Sequence, residues 1–249
     1  MKKILIIIMA IIFVSGLAFL GYYWYTSNQK QPSSSTDQAQ TNNQPASSAN
    51  VLFSSNFDNE SDLQKWEIFD DNVAQEGPSN WFFEDGALKQ DSNIWAGTFG
   101  SPVKDKSYLG SMIVTKDGQT WEDYQAKFKF KPLDNDGVGF IVRYVDRNNY
   151  LRIFTIQDPT QNNGGPKIKI DKRVNGKTYG LFVKKFTYNT GQWNEVTIKV
   201  KGEKITFIMN NEKKKYIWAE TKSFKTGRFG FSVYAEEGVE FDDVVIEKR

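Results

Sequence analysis

The stretch Asp134-Asn-Asp-Gly-Val-Gly-Phe-Ile-Val-Arg-Tyr-Val-Asp-Arg-Asn-Asn-Tyr-Leu-Arg-Ile-Phe-Thr-Ile156 decides how the rest of the chain is read. Gly137–Tyr144 and Tyr150–Ile156 are strand-like runs, and the polar connection Val145–Asn149 has the length and composition of a hairpin turn. Val138, Phe140 and Val142 alternate with Gly139, Ile141 and Arg143, the period of two expected of a strand lying between a core and a second surface. Arg143 and Arg152 fall on the two paired strands, so the expectation is that their guanidinium groups project from one face of the sheet. Gly137 and Gly139 leave backbone bare where another group can approach closely. Two readings follow. Either this is the central hairpin of an all-β domain with solvated arginines, or it is a ligand face.

Working outward, turn signals separate one short strand from the next. Asp85-Gly86 and Asn175-Gly176 are dipeptides of the type I′ hairpin, flanked by Trp81–Glu84 with Ala87–Gln90 and by Lys167–Val174 with Thr178–Phe186. Tyr124–Lys131 alternates cleanly until Pro132 ends it. Trp193–Val200 and Lys204–Met209 form another hairpin, and Tyr216–Trp218, Arg228–Ala235 and Val239–Glu247 close the chain. From Val51 onward no helical period exceeds two turns, and about fourteen strands are expected. That pattern predicts an all-β fold, an antiparallel two-sheet sandwich over residues 51–249.

The chain ahead of it differs in kind. Met1-Lys2-Lys3 precedes the apolar run Ile4–Val14, which resumes at Leu17–Leu20 and ends in Tyr22, Tyr23, Trp24 and Tyr25. About twenty residues of this character span a bilayer, the lysines set the N-terminus inside, and the aromatic group marks the outer headgroup belt. The expectation over 1–25 is one N-terminal transmembrane helix, a single-pass anchor in the cell membrane with the C-terminal domain extracytoplasmic. A cleaved signal peptide and a secreted protein are the alternative. Residues 26–50 are rich in Gln, Ser, Asn, Thr and Pro with almost no charge, a disordered polar linker.

Composition excludes several chemistries. The 249 residues contain no Cys and no His, which removes thiol nucleophiles, thiolate zinc sites and imidazole bases together. Only oxygen ligands remain for a metal, which points to calcium or magnesium. The net charge is +2, and after Lys2, Lys3, Lys30 and Asp37 are set aside the rest of the chain is balanced. No nucleic-acid partner is expected of such a surface.

Three segments together resemble the concanavalin A-like lectin/glucanase superfamily, in its laminin-G-like and thrombospondin C-terminal-like branches. They are Phe53-x-x-x-Phe57-Asp58 followed by Trp66, Asp136–Tyr144 with Asn149-Tyr150, and Gly227-Arg-Phe-Gly-Phe231 with Ala235–Val245. In the first the acidic residue is displaced from the family's opening pattern. The resemblance implies a jelly-roll sandwich whose first and last strands pair and a face that commonly binds sugar, and it leaves activity open.

On such a face Trp95 and Tyr144 are the candidates to stack on a ring. Arg143, Arg152, Asn149 and Glu236 are the candidates to hydrogen-bond hydroxyls. Asp134 and Asp136, two apart before a glycine, are candidate ligands of a structural calcium ion. By resemblance so are Asp58, Asp242 and Asp243, where the first and last strands meet. The glucanase string E-x-D-x-x-E has no match: Glu240-Phe-Asp242 through Glu247 is wrongly spaced and sits in the last strand. The leading expectation is therefore an extracytoplasmic lectin-like domain that binds carbohydrate without catalysis. A glycoside hydrolase or lyase of the same fold and a protein-adhesion module are the alternatives.

Overall fold

A computed structural model of the protein describes residues 50–70, 74–75, 77–96, 108–160 and 165–249. The anchor expected over 1–25 and nearly all of the linker lie outside them. Within the described residues no helix is long and apolar enough to cross a membrane.

The strands are β1 (Val51–Ser55), β2 (Trp66–Asp70), β3 (Ala74–Gln75), β4 (Trp81–Glu84), β5 (Ala87–Gln90) and β6 (Trp95–Ala96). They continue with β7 (Ser111–Thr115), β8 (Tyr124–Pro132), β9 (Gly137–Asp146), β10 (Asn149–Ile156), β11 (Lys167–Val174) and β12 (Lys177–Lys185). The last are β13 (Asn194–Lys201), β14 (Lys204–Met209), β15 (Tyr216–Glu220), β16 (Arg228–Tyr234) and β17 (Val239–Lys248). Eight form one antiparallel sheet in the order β15-β14-β13-β8-β17-β5-β4, with β1 also on β17. Seven form a second, β12-β11-β10-β9-β16-β7-β2, and β3 pairs with β6. The two-sheet sandwich expected from the alternation is present, and its first and last strands pair, Val51 opposite Glu247.

The turns follow from residue type. Asp85 and Gly86, and again Asn175 and Gly176, hold positive φ in both turn positions, the geometry that suits a two-residue hairpin to the twist of its strands. Between the sheets one face of every long strand meets a continuous core of Phe128, Phe140, Phe229, Phe231 and Phe241 with Trp66. The Phe231 and Phe241 rings stack across the sheets at 4.1 Å. Trp66 and Trp81 are buried, whereas Trp193, just ahead of β13, is 38% exposed.

The seven-stranded sheet is buried on both faces. Val138, Phe140, Val142, Leu151 and Ile153 belong to the inter-sheet core. On the opposite side Tyr108, Phe154, Ile156 and Tyr234 form one cluster, and Met112, Val114, Ile141, Tyr144 and Tyr150 another. The bare backbone of β9 serves this second layer. A Cβ on Gly137 would stand 2.3 Å from Phe154 Cζ, and one on Gly139 would stand 2.2 Å from Ser232 Oγ and 3.1 Å from Arg152 Cδ. What approaches the glycines is the protein's own Phe154 and Arg152.

The two arginines do not share a face, contrary to the expectation from alternation. The pairing of β9 with both β10 and β16 shifts register around Arg143, which takes φ 50. This bulge turns Arg143 toward the end of the sandwich and carries Tyr144 to the outward face. Gly139→Ala is expected to destabilise the domain by about 1–3 kcal/mol through overpacking against Ser232 and Arg152. Gly180, with open space where its Cβ would be, should change by less than about 0.5 kcal/mol as Ala. Denaturant midpoints of the two variants check this.

Candidate functional site

The outward face of the seven-stranded sheet carries charge where a packing surface would carry hydrocarbon. Register places Arg152 on β10 opposite Asp171 on β11, and Lys169 opposite Phe154. Arg152 is 2% exposed and Asp171 1%. The guanidinium grips the carboxylate through Nε and Nη2, 3.3 and 3.2 Å, and Nη1 donates to the carbonyl of Tyr108 at 3.0 Å. Lys169 Nζ stands 2.8 Å from the same carboxylate. Burial opposes the charge on Asp171, but the two cations beside it prevail and hold its carboxyl below the usual range. Lys169 goes the other way, pushed down to about 8 by burial despite Asp171.

Aromatic rings enclose this triad. Tyr108 stacks on Phe154 at 5.0 Å and meets Tyr234 edge-on at 5.1 Å. Lys169 Nζ lies 4.6 Å from the Tyr108 ring centre and 5.1 Å from that of Phe154, and the Arg152 guanidinium carbon lies 4.7 Å from the Phe154 centre. Lys167 Nζ donates to the Tyr108 hydroxyl at 2.9 Å. Trp95 packs half-buried on the rim of the same cluster. The arrangement places an ammonium, Lys169, and a half-buried indole, Trp95, at the edge of a buried ion pair, a donor and a ring face of the kind a hydroxylated ring can use.

The candidates named from sequence scatter around this patch. Trp95 packs against the aromatic cluster that contains Phe154, and Arg152 lies over the Phe154 ring. Tyr144 lies on the same face but in the second cluster, stacked between Phe69 and Tyr150 with Arg228 over its ring. Arg143 donates to the carbonyls of Phe224 and Glu122 at the sandwich end, away from the face. Asn149 ties two hairpin turns together: its Nδ2 donates to Asp146, and its Oδ1 accepts from the N–H of Asn175.

Glu236 is fully buried. Its Oε1 accepts the N–H of Asp134, while Oε2 has no hydrogen-bond partner. Burial, reinforced by the carboxylates of Asp134 and Asp136, pushes it up to about 8, so it carries a proton at neutral pH.

The residues singled out for calcium do not make a metal site of the kind expected. Asp242 and Asp243 hold Lys129 between them at 2.9 and 3.0 Å. Asp58 accepts from Asn56, and Asp134 Oδ1 accepts the N–H of Asn135 as a turn cap. Among the described residues no three acidic side chains converge to hold an ion.

Tyr108, Lys169 and Asp171 were not singled out from sequence. In Lys167-Ile-Lys-Ile-Asp171 the alternation marks a polar face that reads as solvated. The signal lay in the neighbouring strand, where Arg152, Phe154 and Ile156 share one phase and betray a second packed surface.

The profile of the 3-keto-alpha-glucoside-1,2-lyase-like domain family matches residues 50–247. No curated protein matches the sequence. Among solved structures, the carbohydrate binding module CBM66 from Bacillus subtilis aligns with TM-score 0.54 and 15% identity, over 74% of this chain and 96% of its own. A Bacillus subtilis protein of unknown function with a galectin-like fold aligns with TM-score 0.57 and 11% identity, over 80% and 96%. The Ca2+-bound exoplasmic/lumenal domain of VIP36 gives 0.51 and 12%, over 77% and 86%. At these identities the likeness is one of fold.

Glu236 makes a pH prediction. Its carboxyl sits near 8 when folded against an ordinary 4.5, so between those values the unfolded chain releases a proton that the folded chain keeps. Stability is expected to fall as pH rises through that window and to level off above it. Glu236→Gln, which keeps the acceptor for Asp134, should flatten this slope in thermal melts run from pH 4.5 to 8.5.

Proposed function

The chain belongs to the 3-keto-alpha-glucoside-1,2-lyase-like domain family, and from that premise we propose that it is a membrane-tethered, extracytoplasmic domain that recognises a glycan without cleaving it. The observation that carries this is the buried Arg152–Asp171–Lys169 group on the outward face of the sheet. Removing each ion from water costs several kcal/mol, and apolar residues of similar volume would serve stability at least as well. Charge kept under an aromatic cover at such a cost marks a recognition site. Lys169 is the donor at the edge of this group and half-buried Trp95 supplies a face for the apolar side of a sugar ring, while Arg152, Asp171 and Tyr108 lie beneath and hold them in place. The folds of CBM66 and VIP36 agree with this reading and do not by themselves establish it.

Hydrolysis is disfavoured by the same geometry. A glycosidase uses two carboxyl groups about 5–9.5 Å apart around the scissile bond, one free to act as acid. Asp171 is clamped by two cations, and Glu236 is sealed below the surface. One observation favours a second, catalytic reading. Lys169, pushed to about 8, holds an amine near neutrality. In its amine form Lys169 would take the C2 proton beside the ketone of a 3-keto glucoside as the C1–O bond breaks, and the ammonium so formed would return that proton to the leaving oxygen, giving a C1–C2 double bond and the released alcohol.

A glycan array with the full chain in detergent distinguishes these. Lys169→Ala and Trp95→Ala should each weaken the bound glycan about tenfold with the fold intact by circular dichroism, and the glycan should be recovered unchanged. Failure to bind any glycan overturns the recognition reading. Conversion of a 3-keto glucoside that Lys169→Ala abolishes would establish the lyase instead. The tether is proposed from residues 4–25. The full chain should sediment with membranes and lose its domain to protease added outside the cell, and a chain lacking residues 1–25 should be soluble.

A further inference from the structure

The outward face of the eight-stranded sheet is chemically unlike the face just described. On β15 Ile217 and Ala219 enter the core, which leaves Tyr216 and Trp218 outward, 44% and 47% exposed. Register sets Tyr216 opposite Ile208 and Trp218 opposite Thr206 on β14. Next to them, across β13 and β8, lies an open depression of about 340 Å³ lined by Gln125, Lys127, Glu195, Thr197, Lys199 and Asn211, with Ile208 on its β15 side. At its far end Trp193, also exposed, lies under Lys129 and Lys131 at 4.9 and 5.5 Å. By strand geometry the trough from Trp193 to Trp218 runs about 20 Å along the sheet.

We infer that this trough is a second carbohydrate-contact site, separate from the Lys169 patch, and that its ligand is an extended neutral polysaccharide. The rings stand at both ends of a floor of amides, a hydroxyl and charges of both signs, a pattern that suits a chain presenting hydroxyls along its length and flat apolar ring faces at intervals. An anionic polymer fits poorly, because Lys127, Lys129 and Lys131 are already paired and Lys199 shares the floor with the carboxylate of Glu195. Lys127 holds Glu247 at 3.0 Å, Lys129 holds Asp242 and Asp243, and Lys131 holds Glu240 at 2.9 Å. Lys204 Nζ rests 4.6 Å from the Trp218 ring centre, so one indole face is covered by the chain's own lysine. A contact of that kind at an exposed site is weak and readily displaced.

The test uses the full chain in detergent and soluble neutral polysaccharides: a mixed-linkage glucan, xylan, mannan and levan. Retardation in polysaccharide-containing gels gives affinity, and oxidation of tryptophans read by mass spectrometry gives location. Trp193 and Trp218 should both be protected by a retarding polysaccharide, with the effect unchanged between low and high salt. Tyr216→Ala and Trp218→Ala should each weaken retardation about threefold to tenfold, while Lys169→Ala should leave this protection in place. All three rings are on the surface, so these variants should keep the wild-type melting temperature. Unchanged reactivity of Trp193 and Trp218 with every polysaccharide overturns the inference. Protection of Trp95 alone would do so too, while leaving the proposal for the Lys169 patch standing.

Discussion

The pairing of Arg152 with Asp171 constrains more of this structure than any single hydrophobic contact. A guanidinium and a carboxylate that are both out of water must satisfy each other and their remaining donors, or the fold loses several kcal/mol. Satisfying them requires β10 and β11 in one register, the Tyr108 carbonyl over Nη1, and Lys169 against the second carboxylate oxygen. It also requires bare backbone on β9, because the Arg152 stem crosses Gly139 and the Phe154 ring crosses Gly137. Two glycines, a tyrosine carbonyl and three charges thus form one geometric statement about the outward face.

That dependence explains what could be read from sequence. Strand positions and the two Asx-Gly hairpins follow from local rules, since period, turn chemistry and alternation each act over a few residues, whereas the closing of the first strand on the last was implied only by the family resemblance. The site does not, because it is assembled from residues up to dozens of positions apart whose burial depends on what lies above them. Trp95 and Arg152 were named from sequence, and the structure places both beside the cluster of Tyr108, Phe154 and Tyr234. Arg143 was placed wrongly, since a single bulge residue at positive φ inverts the phase of the strand beyond it, and nothing in Val142-Arg143-Tyr144 announces a bulge. Lys169 and Asp171 were hidden by the same alternation that located their strand, which assigns a polar phase to solvent unless a second layer is known to cover it.

Glu236 shows another limit of sequence reading. A glutamate in Ala235-Glu-Glu-Gly238 looks like a turn carboxylate facing a cleft. In the structure it lies inside the turn and fixes the start of the β8–β9 connection by accepting the N–H of Asp134. Two adjacent glutamates have opposite fates, Glu236 sealed and Glu237 exposed, because Ala235 takes positive φ and turns the chain between them.

The two outward faces can be weighed by magnitude. On the eight-stranded sheet the Lys–Asp and Lys–Glu pairs are open to solvent, and each contributes about 0–1 kcal/mol. They keep the surface soluble and neutral at little thermodynamic consequence, and they leave the aromatic rings at its ends free to set what the face contacts. On the seven-stranded sheet the comparable pair is desolvated, and breaking it would cost about 3–5 kcal/mol even though an apolar substitute would have served the fold. Stability alone therefore accounts for the first set of charges and not for the second. A face whose charges are inexpensive can present rings to solvent as a flat contact surface. The second set is a costly, oriented group that fixes the strand register and the aromatic cover above it. The sandwich supplies both faces because each sheet needs only one side for the shared core.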